Sequence, residues 1–175
     1  MKIGFCGTVS VGKTTLVKAL AELPEFKGYT FRTERSKYLM EQGIPLNTDS
    51  TLKGQCVFLA ERSLELMQKN IITDRTVIDV IAFANASKSM DFYEKEDFEL
   101  IASKLINDYD YIFYVSPKGV EIENNGVRET DSEYRDLIDF IILNTINRYS
   151  HRIKNYHEIH GSTEERVKQI KKVIF

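Results

Sequence analysis

Residues 7–14 read Gly-Thr-Val-Ser-Val-Gly-Lys-Thr, a complete G-x-x-x-x-G-K-[ST] pattern. The run lies between a short apolar stretch at 2–6 and a segment at 13–22 with helical spacing, whose inner stripe is Leu16, Val17, Leu20 and Leu23. Strand, glycine-rich turn and helix in that order set the start of the chain as a βα unit. Pro24 is expected to end the helix.

The rest of the chain repeats that alternation. The spacing predicts strands over 29–33, 70–74, 111–116 and 156–160. Helices are expected over 34–42, 52–69, 76–87, 96–107, 132–149 and 162–174, the second carrying Val57, Leu59, Ala60, Leu64 and Met67. Ser162 or Thr163 can cap the last helix, with Glu165 as capping-box partner of Ser162. Strands alternating with helices argue for an α/β sheet with helices on both faces. Residues 117–131 hold a proline, asparagine and glycine turn sites and no long apolar run, which reads as a loop or lid. At 175 residues the chain is expected to form a single domain over 1–175, with a lid at about 117–135.

Charge and cysteines narrow the setting. The formal net charge is -2, with Lys and Arg spread along the chain, so no basic tail for nucleic acid is present. Cys6 and Cys56 have no metal-like spacing and read as reduced thiols of a cytoplasmic protein. No apolar run reaches membrane-spanning length, and MKIGFCGT lacks the apolar core of a signal peptide.

Triphosphate oxygens need several backbone N–H donors, and glycines let a chain curl closely around them. Gly7, Thr8, Val9, Ser10, Val11 and Gly12, with Lys13, Thr14 and Thr15 opening the helix, are therefore the candidate ATP cradle. Lys13 supplies a cation between the β- and γ-phosphates, the Thr14 hydroxyl can ligate Mg²⁺, and the helix points its positive end at the phosphates.

Other candidates stand at strand ends, where an α/β sheet opens its ligand crevice. Glu34, followed by Arg35, could accept the proton of an attacking hydroxyl or hold the sugar that bears it. Asp74 ends an Ile-Ile-Thr strand and can bind Mg²⁺, and Arg75 beside it could neutralise a phosphoryl group. Asp79 reads as a structural acid. Gln55 could hydrogen-bond a base or sugar, while Phe58, Phe83 and Tyr93 are aromatic candidates for stacking or core. Arg128 in the lid, and Arg135 on the next helix, could bring cations over the developing charge. Arg148 and Arg152 could approach the adenine side. His157 and His160 read as strand residues.

Taken together, the loop 7–15, Thr33-Glu34-Arg35, Lys53-Gly54-Gln55, Thr73-Asp74-Arg75, the segment VEIENNGVR at 120–128 and YHEIHGSTEER at 156–166 resemble a P-loop kinase. The type is that of the nicotinamide riboside kinase domain of the bacterial NAD regulator, within a broad family that includes many phage-encoded small kinases. The resemblance implies a five-stranded parallel sheet in the order 2-3-1-4-5, with ATP and Mg²⁺ as cofactors. It would place Lys13 and Thr14 on phosphates and metal, Asp74 in the magnesium region, Glu34 near the acceptor and Arg128 in the lid. Relatives that accept nicotinamide riboside tend to carry a tryptophan after a proline in the lid, whereas this chain has no tryptophan.

The expected activity is ATP-dependent transfer of the γ-phosphate to a hydroxyl or phosphate of a nucleoside or nucleotide-like small molecule. Glu34, Arg35, Gln55, Arg75 and Arg135 are its candidate substrate contacts. Two alternatives share the loop: a kinase acting on a modified base in DNA, such as 5-hydroxymethyluracil, and a nucleotide-hydrolysing ATPase. The guanine-reading N-K-x-D signature is absent, which argues against a GTPase. No membrane partner is expected, and either a monomer or a homodimer fits.

Overall fold

The structure, a computed structural model, describes residues 1–33, 35–119 and 132–175. Its sheet is built from β1 (Lys2–Cys6), β2 (Thr30–Arg32), β3 (Ile71–Asp74), β4 (Tyr111–Val115) and β5 (Tyr156–Ile159). All pairings are parallel and the order is β2-β3-β1-β4-β5. This is the α/β class and strand order expected of a P-loop kinase fold.

Alternation along the strands sorts the core into two layers. From β4, Phe113 and Val115 join Ile3 and Phe5 of β1 beneath Leu16, Val17 and Leu20 of α1 (Lys13–Ala21) and Ile170 of α7 (Thr163–Ile174). Ile112 and Tyr114 join Cys6 on the opposite face, against α4 (Val77–Ala86) and Ile138 and Ile142 of α6 (Ser132–Arg148). Helix α4 is apolar almost all round and buried accordingly, since α6, α5 (Phe92–Ala102) and α3 (Leu52–Leu66) cover its outer sides. The short α2 (Ser36–Glu41) follows β2.

Three local readings differ from the structure. Helix α1 stops at Ala21, and Pro24 instead opens a 3-10 turn, Pro24–Phe26. Helix α5 begins at Phe92 rather than 96, because Asp91 caps it through a reciprocal box with Glu94. It passes into a 3-10 stretch, Ser103–Asp108, after Ala102. Leu64 of α3 and Met67, which follows its last residue, are 64% and 77% exposed. Gln55, Arg62 and Glu65 occupy the inner face in their place. The remaining predicted elements form, losing no more than one turn at an end. Cys6 is buried, Cys56 is exposed, and both are free thiols. Among the described residues no helix is long and apolar enough to cross a membrane.

Candidate active site

Strand β1 is flanked by β3 and β4, with Phe5 paired to Asp74 and Cys6 to Tyr114, so the chain leaves it at the crevice where the strand order reverses. The glycine-rich loop fills that crevice. A Cβ on Gly7 would lie 2.7 Å from the Val115 carbonyl oxygen, so only glycine lets the loop begin this close to β4. Gly12 sits at φ 82°, in the left-handed region, and turns the chain into α1. Val9 and Val11 are buried, and the Thr8 hydroxyl donates to the Arg135 carbonyl at 2.8 Å.

Lys13 is only 6% exposed, and its ammonium lies back across the loop. It donates to the carbonyls of Gly7 and Thr8 at 2.7 and 2.8 Å. A flexible cation so placed, next to the N-terminus of α1, suits an anion held by the loop.

One helical position on, the Thr14 hydroxyl donates to Asp74 Oδ2. Asp74 is 1% exposed at the end of β3. The backbone turns sharply after it: Arg75 adopts φ 90°, and its amide bonds the Phe5 carbonyl at 3.0 Å. Arg62 of α3 reaches this turn and donates to the carbonyls of Asp74 and Arg75, at 3.3 Å each. Asp79 ties loop and turn together, as the structural acid anticipated from the sequence. It accepts from the Gly7 amide at 3.2 Å, and from the Thr76 amide and hydroxyl at 2.7 and 3.0 Å. Burial pushes its carboxyl upward, against the pull of Lys13 and Arg75.

Beside the turn lies a narrow cleft of about 40 Å³, open to solvent and lined by Ser36, Asn47, Gln55, Phe58, Arg75 and Phe83 among others. The Arg75 guanidinium sits 4.6 Å from the centre of the Phe83 ring. Gln55 is 2% exposed, and its carboxamide makes no hydrogen bond among the described residues. Phe58 and Phe83 are thus cleft walls, whereas Tyr93 is 76% exposed on α5.

The structure brings Thr14 of the glycine-rich loop to Asp74, and Arg75, next along the chain, lines the cleft with Gln55. Thr15 faces solvent from α1. Arg35 lies to one side, bridging to Glu61 at 3.2 Å and covering the Tyr38 ring. Arg135 is buried at the start of α6 and donates to the Pro117 carbonyl at 3.3 Å. Glu34, Arg128 and the lid over 120–131 lie outside the described residues. Arg148 and Arg152 do not join the crevice. Arg148 pairs with Glu99 at 2.7 Å, and Arg152 stacks on Tyr149 and bonds the Ser103 carbonyl.

Two residues that touch this machinery have no motif of their own in the sequence. Arg62 lies seven positions after Gln55 and shares its inward face, a phase that would have flagged it had polar residues been allowed inside the helix. Arg166 of α7 donates to the Val11 carbonyl at 2.6 Å, one helical turn before the buried Ile170.

Solved structures share this architecture. Deoxyadenosine kinase from M. mycoides with bound dCTP is 20% identical, with a TM-score of 0.67 over 99% of this chain and 98% of that one. Thymidylate kinase from Ehrlichia chaffeensis is 17% identical, with a TM-score of 0.68 over 100% of this chain and 98% of that one. Thymidylate kinase from Candida albicans, at 13% identity, reaches 0.66 over 98% and 89%. No curated protein sequence matches the chain. The family model of the AAA domain matches residues 2–166. It therefore runs from the first residue of the central strand to the arginine resting on the glycine-rich loop, and the chain belongs to the AAA domain family.

Proposed function

We propose that the protein is a kinase that moves the γ-phosphate of ATP to a hydroxyl or phosphate of a nucleoside or nucleotide. The observation that carries this reading is the juxtaposition of two unlike sites. A phosphate-type loop with Lys13 and Thr14 opens beside a cleft whose aromatic walls and unbonded Gln55 carboxamide suit a heteroaromatic base. A hydrolase switch has no use for the second site. The likeness to kinases named for deoxyadenosine and thymidylate supports the same acceptor class.

In this reading the acceptor oxygen attacks the γ-phosphorus in line, its bond forms as the bond to the bridging oxygen of ADP breaks, and the acceptor proton leaves to a carboxylate. Glu34, two positions after β2 in the sequence, is the candidate base. Lys13 and the loop amides hold the triphosphate, Arg75 faces the acceptor, and Arg128 and Arg135 supply cations from a lid over about 117–135. The 175 residues act as one catalytic unit.

Thr14 and Asp74 fit a magnesium ion. One hydroxyl and one carboxylate already converge, and no cluster of three His, Cys, Asp or Glu is present among the described residues. That sparse oxygen set suits a hard cation bound mainly through water and phosphates. Bound there, Mg²⁺ would neutralise charge on the transferring phosphate.

Incubation with γ-labelled ATP, Mg²⁺ and separate pools of nucleosides, nucleoside monophosphates, nicotinamide riboside and modified-base DNA tests the proposal, with Lys13→Ala as control. Label in a nucleoside or nucleotide pool, lost in the control, supports it. Label only in DNA assigns a polymer acceptor, and label only in inorganic phosphate assigns an ATPase.

A further inference from the structure

Among the described residues, Arg166 differs from the buried Arg62, which pairs with Glu65. It is 4% exposed, 155 positions from the loop it touches, and without a carboxylate partner. Its Nη1 donates to the Val11 carbonyl at 2.6 Å, its Nη2 reaches the Ser116 carbonyl at 3.5 Å, and its Nε has no acceptor. A guanidinium held inside a protein on two carbonyls is costly unless its charge serves something nearby. Burial alone draws its pKa down.

The Val11 carbonyl is the group that matters. Helix α1 takes the Gly12 carbonyl as its first acceptor, from the Leu16 amide at 3.0 Å, so the Val11 carbonyl lies outside the helical ladder. The peptide is trans, as are all others described, so its C=O and the Gly12 N–H point in opposite directions. Holding the carbonyl against α7 turns the Gly12 N–H away from α7, towards the concave side of the loop. A cation on the carbonyl also polarises that N–H into a stronger donor. The fit is close: a Cβ on Gly12 would stand 3.2 Å from Arg166 Nη1.

We propose that Arg166 is a positioning residue of the phosphate loop, fixing the Val11–Gly12 peptide so that the Gly12 amide faces bound phosphate. The inference rests on the reading of Gly7–Thr14 as a nucleotide cradle and extends it to a residue of the last helix. Arg166 touches no phosphate itself; it acts through the peptide. Its weaker contact with the Ser116 carbonyl also reaches the exit of β4.

The test uses the full chain, with Mg²⁺-tripolyphosphate and Mg²⁺-ADP as probes in titration calorimetry and the Gly12 amide resonance of ¹⁵N-labelled protein as local reporter. Arg166→Met is expected to weaken both probes about tenfold and to lose the displacement of the Gly12 resonance. Arg166→Lys, which keeps a charged donor, should restore most of both. A purely structural role would lower the melting temperature of the Met variant and leave the affinity and Gly12 displacement of its folded fraction unchanged, and that result would overturn the proposal. Should Arg166→Met not fold, Arg166→Gln decides on the same two readouts. If the unaltered protein binds neither probe, the nucleotide reading itself fails and takes this inference with it. If it binds both, and Met, Gln and Lys variants bind equally well, only the role of Arg166 is refuted.

Discussion

Arg62 and Glu65, three positions apart on α3, pair at 2.8 Å inside the protein. The same guanidinium holds the Asp74 and Arg75 carbonyls at 3.3 Å each. A left-handed arginine at the end of a strand is strained, and this clamp is what over-determines it. Arg62→Ala would leave a buried carboxylate unpaired and two carbonyls unbonded. A loss of about 3 kcal/mol is expected, read from urea unfolding midpoints.

The pair also carries a pH dependence. Burial pushes the Glu65 carboxyl up to about 7, outweighing the Arg62 guanidinium that draws it down. The folded chain therefore holds this proton more tightly than the unfolded one. The contribution to stability is full below about pH 4.5 and is lost as pH rises to about 7. Compared with Glu65→Gln, the unaltered protein should lose on the order of 2 kcal/mol across that window, with no further change above it. Thermal melts of the two proteins at matched pH check this, and parallel pH profiles would exclude it.

Gln55→Leu separates substrate reading from folding. The carboxamide lines a solvent-open cleft and holds no described residue in place, so its replacement by an apolar side chain of similar size should leave the melting temperature nearly unchanged. Acceptor KM should nevertheless rise at least tenfold, or about 1.4 kcal/mol, because the base loses its hydrogen-bonding partner. A variant that is both destabilised and fully active would remove Gln55 from the site.

Asp74→Asn keeps the shape of the strand end and removes its charge. The Mg²⁺ concentration giving half-maximal transfer should increase about tenfold, with a lower kcat at saturation. Titration of activity against Mg²⁺ in both proteins measures it.

Arg148→Ala should cost about 1–2 kcal/mol, because Glu99, 5% exposed, loses its ion pair while Asn85 and Tyr149 still donate to it. The KM for ATP should not move. A rise in that constant with stability intact would return Arg148 to the adenine side, where the sequence alone had suggested it.

How legible each feature was follows from how local it is. The phosphate loop could be read directly because its glycines and lysine act through spacing within one turn of chain. Strand order was accessible only through family resemblance, since nothing within Ile71–Asp74 says that β3 pairs with β1. The polar inner face of α3 escaped the periodicity argument, which ranks Leu64 and Met67 as core and Gln55, Arg62 and Glu65 as surface. Arg62 and Glu65 are inside because they hold the Asp74–Arg75 turn, and Gln55 because it lines the cleft, which a rule built on apolar burial does not anticipate. The pairing of Arg148 was hidden for a different reason: its partner Glu99 is 49 positions away and belongs to another helix.

The parallel pairing has a consequence for the order in which the chain can assemble. Strand β1 precedes the other strands, yet Lys2 and Ile3 find their first neighbours only at Ile71 and Ile72, and Ile3 its second only at Tyr111. Residue 166 must then arrive before the loop at Val11 is braced. During synthesis the glycine-rich segment therefore lacks this bracing contact until residue 166 has been made. A nascent chain halted before β4 would carry every residue of the phosphate-binding pattern and have no cradle to offer a nucleotide.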